Sequence, residues 1–193
     1  MIILVLIMLR TNVNITSIIQ KKRELEGRFE KNFFINTANE VVKAIEISYH
    51  QSNNITKNVY DFANFTKKKM IERSLDFQFL YVGSITPNSS DTDTMNVSVI
   101  NLLNESINAT LQLNSSTPVN FSEIVNYGRW DMNYSISQGS NYVLTVGYNG
   151  THVENVTIDT KVNQSVYVGF FDITLVGSET IHKDKFQKSY TLP

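Results

Sequence analysis

The residues able to do chemistry are few and scattered. His50, His152 and His182 are the three histidines, and none stands at an H-x-H or H-x-x-x-H spacing that would put two imidazoles on one metal. Cysteine is absent, which excludes disulfides, thiolate-bound zinc, iron–sulfur clusters and thiol catalysis. No G-x-S-x-G elbow, phosphate loop or dinucleotide fingerprint occurs, so the chain reads as a non-enzyme without a cofactor. Asp91 and Asp93, in NSSDTDT (88–94), offer hard oxygen ligands of the kind calcium prefers. The glycine and further carboxylates of an EF-hand-like loop are missing there, so the expectation is a solvated loop, with Asp91 and Asp93 as weak metal candidates. Trp130, in YGRWDMNY, offers a ring that can stack on a sugar, although a single Trp among aromatics more often packs in a core. Lys67, Lys68 and Lys69 with Arg73 make a basic run without interleaved aromatics. That run reads as a solvated face, or a contact for acidic lipid or a neighbouring subunit, and not as a nucleic-acid interface.

One pattern is dense. Thirteen Asn-x-Ser/Thr triplets occur, none with Pro in the middle, where chance placement of the Ser and Thr present predicts about four. Strand alternation explains part of the excess, because residues i and i+2 share a face and an outward Asn is followed by another outward polar residue. Doubling the Ser/Thr frequency on such a face yields about eight triplets, still short of the number found. Alternation also fails for Asn54, Asn64, Asn88, Asn120 and Asn149, which fall in predicted helices, loops or turns. The pattern is therefore read as N-glycosylation at Asn54, Asn64, Asn88, Asn96, Asn104, Asn108, Asn114, Asn120, Asn133, Asn149, Asn155 and Asn163. Asn14 lies close to an apolar terminus and is left out. Glycosylation implies that most of the chain faces away from the cytoplasm.

The elements that must carry these residues divide in two. Residues 1–76 hold twelve Lys/Arg against eight Asp/Glu, and residues 77–193 hold five against ten. The net charge of −1 leaves no global field to draw nucleic acid. Between Ser17 and His50 the spacing is helical: Leu25, Phe29 and Phe33 step by four, and Val41 and Ile45 continue the stripe. QSNN (51–54) is a polar break, after which Thr56 can cap a second helix over Lys57–Leu75, buried through Val59, Phe62, Ala63, Met70 and Ile71. After Asp76 the period becomes that of strands. Phe77, Phe79 and Tyr81 alternate; Val97 and Val99 oppose Asn96 and Ser98; Tyr142, Leu144, Val146 and Tyr148 share a face before the turn pair Asn149–Gly150. Val166–Val176 is an apolar run fit for a central strand covered on both sides, and Gly177–Ser178 can turn it into a last strand ending near Leu192. The predicted fold is α+β: an N-terminal apolar and amphipathic helix and a second helix, then an antiparallel β-sandwich of about seven or eight strands. The predicted segments are 1–16, the end of a membrane anchor or an apolar helix; 17–76, two helices; and 77–193, the sandwich.

MIILVLIML (1–9) is too short to cross a hydrocarbon core alone, which takes about 20 apolar residues. It reads as the tail of a spanning helix, as a signal-peptide core without a basic leader, or as a buried element of the domain. Arg10, Lys21, Lys22 and Arg23 follow it, a positive flank of the kind favoured on the cytoplasmic side. An apolar N-terminal helix, its amphipathic continuation and a sequon-dense, cysteine-free strand domain together resemble archaeal surface proteins of the type IV pilin-like kind. That resemblance implies a helix that anchors the subunit in a membrane or filament core, homo-oligomers through the helices, and an outward-facing glycosylated β domain. It departs from the family at Val5, where a mature bacterial-type pilin carries Glu, and in showing no prepilin-peptidase site. The expected function is a membrane-anchored extracytoplasmic surface protein, structural or adhesive, with a pilin-like subunit as its specific form. The alternative is an anchored sandwich that binds a ligand or carbohydrate near Asp91, Asp93 or Trp130.

Overall fold

The computed structural model describes residues 2–50, 55–86, 94–113, 121–137, 139–148, 152–160, 164–177 and 180–192. Its first element, α1 (Ile2–His50), is one helix of 49 residues, about 73 Å long at 1.5 Å per residue. No proline falls within it and Gly27 is its one glycine, so no residue type in the run breaks the backbone ladder. The second helix, α2 (Ile55–Ile71), starts one residue before Thr56. The Thr56 hydroxyl is not spent on capping; it donates to Ser98 Oγ at 2.8 Å and so ties the helix to the sheet beneath. At the other end Ser74 turns left-handed (φ 57°). There Leu75 N donates to Met70 O and Ser74 N to Ile71 O, each at 3.0 Å, the paired bonds of a Schellman stop.

The strands are β1 (Asp76–Thr86), β2 (Thr94–Asn101), β3 (Ile107–Leu113), β4 (Phe121–Val125), β5 (Gly128–Ser135), β6 (Asn141–Tyr148), β7 (His152–Asp159), β8 (Ser165–Val176) and β9 (Ile181–Leu192). All described pairings are antiparallel. They form a five-stranded sheet in the order β5-β2-β1-β8-β9 and a four-stranded sheet in the order β4-β3-β6-β7. Among the described residues there are nine strands, against the seven or eight expected. The two without an alternation signal, β4 and β5, are both sheet edges, where a strand need not be apolar on one whole face.

The sheets pack face to face around Leu80, Val82, Val97, Leu144, Val156 and Phe170. A second core lies on the far side of the larger sheet, where Phe77, Phe79, Tyr81, Phe171 and Ile173 meet Val41, Ile45, Val59 and Met70 of the helices. The order of layers is thus helices, five-stranded sheet, four-stranded sheet. β8 sits between β1 and β9 and is buried on both faces along most of its length, as its apolar run predicts.

Only part of α1 belongs to this core. Phe34, Ala38, Val41 and Ile45 are buried at a true helical spacing. Leu25 and Phe29, expected on the same stripe, are 66% and 46% exposed. The reason is geometric. Each step of four residues advances about 40° beyond a full turn, so five steps from Leu25 to Ile45 rotate about 200° around the helix. The two ends of the stripe therefore face opposite ways. α1 leaves the domain at Glu30, which is buried and accepts a hydrogen bond from Thr180 Oγ1. Gly177 admits that carboxylate, because a Cβ at Gly177 would collide with it. From Ile15 to Glu26 every described side chain is exposed.

Candidate functional site

The projecting arm of α1 carries Ile15, Ile18, Ile19, Leu25 and Phe29 in solvent, each at least 45% exposed. Single exposed apolar residues need no explanation, but five on one projecting helical segment form an unpartnered apolar surface. Leu25, Phe29 and the α2–β1 turn at Arg73–Leu75 line an open groove of about 430 Å³. The Arg73 guanidinium stacks over the Phe29 ring at 5.0 Å, which covers one side of that ring. Among the described residues, no helix is long and apolar enough to cross a membrane.

The acceptor asparagines fall on several surfaces. Asn104, Asn108, Asn133 and Asn155 are exposed, and Asn64 and Asn96 are half-buried. Asn108 and Asn155 share the outer face of the four-stranded sheet, and Asn104 lies in the turn between β2 and β3. Thr145 Oγ1 donates to Asn155 Oδ1 at 2.9 Å, and its partner atom is not the nitrogen a sugar would take. Asn96 and Asn133 are register partners across β2 and β5, and Asn96 Nδ2 donates to Asn133 Oδ1 at 3.1 Å. This engages the acceptor nitrogen of Asn96 but only the oxygen of Asn133. The hydroxyls two residues on also differ. Thr56, Thr66 and Ser98 are buried, whereas Ser106, Ser135 and Thr157 are exposed. Asn54, Asn88, Asn114, Asn120, Asn149 and Asn163 lie outside the described residues, as do Asp91 and Asp93. Among the described residues no three His, Asp or Glu side chains are grouped to hold a metal.

The remaining sequence candidates separate. Trp130 is 38% exposed and does not sit in the core. The row Val82–Val99–Trp130 runs across the sheet to β5, whose outer edge has no strand beyond it. Lys67 leaves the basic run, because it follows Ala63 by four residues and precedes Met70 by three, on the buried face of α2. Its Nζ donates to Leu102 O at 2.8 Å and lies 5.1 Å above the Tyr127 ring. Burial lowers its pKa, with the Asp76 charge offsetting part of the shift. Lys68, Lys69 and Arg73 stay in solvent. His182 sits against Phe34, ring centroids 5.9 Å apart.

One cluster has no sequence signal, because its members come from four strands. Asp172, on the inter-sheet face of β8, is 3% exposed and accepts a hydrogen bond from Tyr148 OH of β6 at 2.6 Å. Lys185, its register partner on β9, brings Nζ to 3.6 Å from Asp172 Oδ2 and to 2.5 Å from Glu154 Oε1 of β7. The same ammonium lies 5.1 Å above the Tyr148 ring. Lys183 approaches Asp172 Oδ2 at 3.7 Å. Burial raises the Tyr148 pKa, and the bond to Asp172 raises it further. Burial alone would lower the Lys185 pKa, but the bonds to Glu154 and Tyr148 outweigh it and the net shift is upward. An amine, a buried carboxyl, a second carboxyl and a phenol donor thus meet where the two sheets close. No protein-family model, curated protein or solved structure matches this chain.

Proposed function

We propose that this is an extracytoplasmic surface protein, N-glycosylated on its β domain and held to a membrane or a helical assembly by the apolar arm of α1. Its role in this reading is structural or adhesive, and its most specific form is a pilin-like filament subunit. The observation that carries the reading is the division of α1, with one half buried on the sandwich and the other holding Ile15, Ile18, Ile19, Leu25 and Phe29 in solvent. Apolar surface of that kind is stabilised by removal from water, at about 25 cal/mol per Å². Apart from Arg73 over one side of the Phe29 ring, the described residues supply no cover, so a bilayer interface or neighbouring helices would. The exposed acceptors Asn104, Asn108, Asn133 and Asn155 lie on the β domain, with Asn108 and Asn155 on the outer face of the four-stranded sheet, the layer farthest from the helices.

Two measurements test this. Full-length protein is expected to float with phospholipid vesicles or to sediment as filaments, while a chain lacking residues 2–28 does neither and keeps its β-sheet circular dichroism. Protein from a glycosylating host is expected to exceed the unmodified 22.0 kDa, with sugars at Asn104, Asn108, Asn133 or Asn155. A monodisperse full-length monomer that ignores vesicles, with an unmodified mass, would sink the proposal. The 38% exposure of Trp130 favours one second reading, a carbohydrate-binding edge on β5. A glycan array on which the protein and its Trp130→Ala variant bind equally would dispose of it.

A further inference from the structure

We propose that Lys185 and Asp172 are the precursors of an intramolecular amide that welds the edge strand β9 to the centre of the larger sheet. This inference does not depend on the surface-protein reading. Its basis is the convergence of groups around one buried carboxyl. Lys185 Nζ is 3.6 Å from Asp172 Oδ2 and carries a second carboxylate, Glu154 Oε1, at 2.5 Å. Tyr148 OH holds Asp172 Oδ2 at 2.6 Å from the opposite side of the inter-sheet space. Lys183 comes within 3.7 Å of the same oxygen, but Glu154 is bonded to Lys185, so Lys185 is the amine with a base on it.

Each group has a defined part. The Lys185 ammonium gives up one proton, which Glu154 relays to the Asp172 carboxylate, leaving a free amine beside a neutral carboxylic acid and Glu154 again a carboxylate. The amine lone pair attacks Asp172 Cγ, and the Nζ–Cγ bond forms. Tyr148 OH donates to Oδ2 as negative charge gathers there, the task of an oxyanion donor. The Cγ–Oδ1 bond then breaks, and Oδ1 departs as water with its own proton and the one returned from Glu154. The tetrahedral centre loses its remaining excess N–H proton to Glu154 as that exchange occurs, so one hydrogen stays on the amide nitrogen. The sum is ammonium plus carboxylate giving amide plus water, with no oxidant, reductant or metal involved. Two factors favour the product. Effective molarities for groups held this close reach about 10⁵–10⁸ M, enough to reverse the usual preference of free acids and amines for the open form. The amide also removes two charges from a site where Asp172 is 3% exposed and desolvation penalises them.

The test is the mass of the full chain made in a host that adds no N-glycans. The expected result is a mass one water (about 18 Da) below that of the sequence, with a tryptic species joining residues 162–183 to residues 184–188 and no cleavage after Lys185. Lys185→Arg keeps the cation and is expected to restore the full mass, and Glu154→Gln is expected to leave most of the chain uncoupled. Wild-type protein that stays at the full mass after days of incubation overturns the proposal, with no variant needed. A loss of one water confined to residues 162–183 alone also overturns it, because that is cyclisation within the aspartyl backbone. The vesicle and filament measurements are blind to either outcome, so the two proposals fail separately.

Discussion

Ser74 holds a left-handed backbone conformation, at φ 57°, where the α2 stop requires one. A residue with a Cβ is penalised there by about 1–2 kcal/mol, and glycine is the usual occupant. The stop is otherwise well made: Met70 and Leu75, the residues joined by its wider-spanning bond, are both buried in the helix–sheet core. Ser74 is exposed, so its side chain contributes no packing. Ser74→Gly is therefore expected to raise stability by about 1 kcal/mol, a gain moderated by the extra freedom glycine has when unfolded. Urea denaturation reads this directly, and an unchanged or lowered midpoint would show that the serine hydroxyl contributes more than its exposure implies. The same scale separates the acceptor asparagines. Asn64 precedes a buried Thr66, and Asn96 has its acceptor nitrogen bonded to Asn133. Modification after folding is expected at Asn104, Asn108 and Asn155 ahead of Asn64 and Asn96, which site-by-site glycopeptide mapping would rank.

At the scale of elements, α1 behaves as two helices in one. Val41 and Ile45 are 1% and 0% exposed and fill the space above the larger sheet. Truncating either to alanine removes buried methyl groups and leaves a cavity; the expected loss is about 1–3 kcal/mol for Val41→Ala and 2–5 for Ile45→Ala. Leu25→Ala, at 66% exposure, is expected to change monomer stability by less than about 0.5 kcal/mol. Thermal unfolding of the three variants measures the contrast, and equal losses at Leu25 and Ile45 would mean that the arm is docked. This contrast marks a limit of sequence reading. The spacing from Leu25 to Ile45 is visible as apolar residues four apart, but the 40° drift hides in that visibility, and only the position of the sheet decides which end is covered. β1, β2, β6, β7 and β8 were legible because a face, or both faces, is continuously buried. β4 and β5 were not, since an edge strand such as Gly128–Ser135 alternates between half-buried and exposed. Lys67 looked like part of a surface run because sequence adjacency to Lys68 and Lys69 is not adjacency on a helix. Asp172, Lys185, Glu154 and Tyr148 were invisible for a different reason: their proximity is made by strand order, and no spacing along the chain encodes it.

Among the described residues, the most buried titratable groups lie where α2 covers the five-stranded sheet. Tyr81 and Tyr167, on the neighbouring strands β1 and β8, are fully buried, and Tyr167 OH lies 3.3 Å from Tyr81 OH as donor. Their rings extend over Gly83 and Gly169, where any Cβ would strike the tyrosine hydroxyl. Burial pushes the Tyr81 phenol up to about 12 and Tyr167 well above its usual value. A phenol whose pKa is raised in the folded state favours the neutral form there. Its contribution to stability is fully present below the unfolded value, near pH 10, and is lost as pH rises through the folded value. Lys67 has the opposite sign: its lowered pKa adds stability as pH rises toward 10.5, which offsets part of the loss but ends where the phenolate loss is still growing. Unfolding is therefore expected between about pH 10 and pH 12. Absorbance at the phenolate band should rise in two stages, the exposed tyrosines first and a late step coinciding with loss of near-ultraviolet circular dichroism. Tyr81→Phe, which removes one of the two phenol ionisations beneath α2 and keeps the ring, should make the alkaline transition shallower. A single smooth titration of all nine tyrosines near pH 10 with the circular dichroism intact would mean that solvent reaches the helix–sheet layer. In that event α2 would not seal the sheet, and the anchoring of α1 on the domain would have to rest on Phe34, Ala38, Val41, Ile45 and the bonds to Glu30 and Glu46.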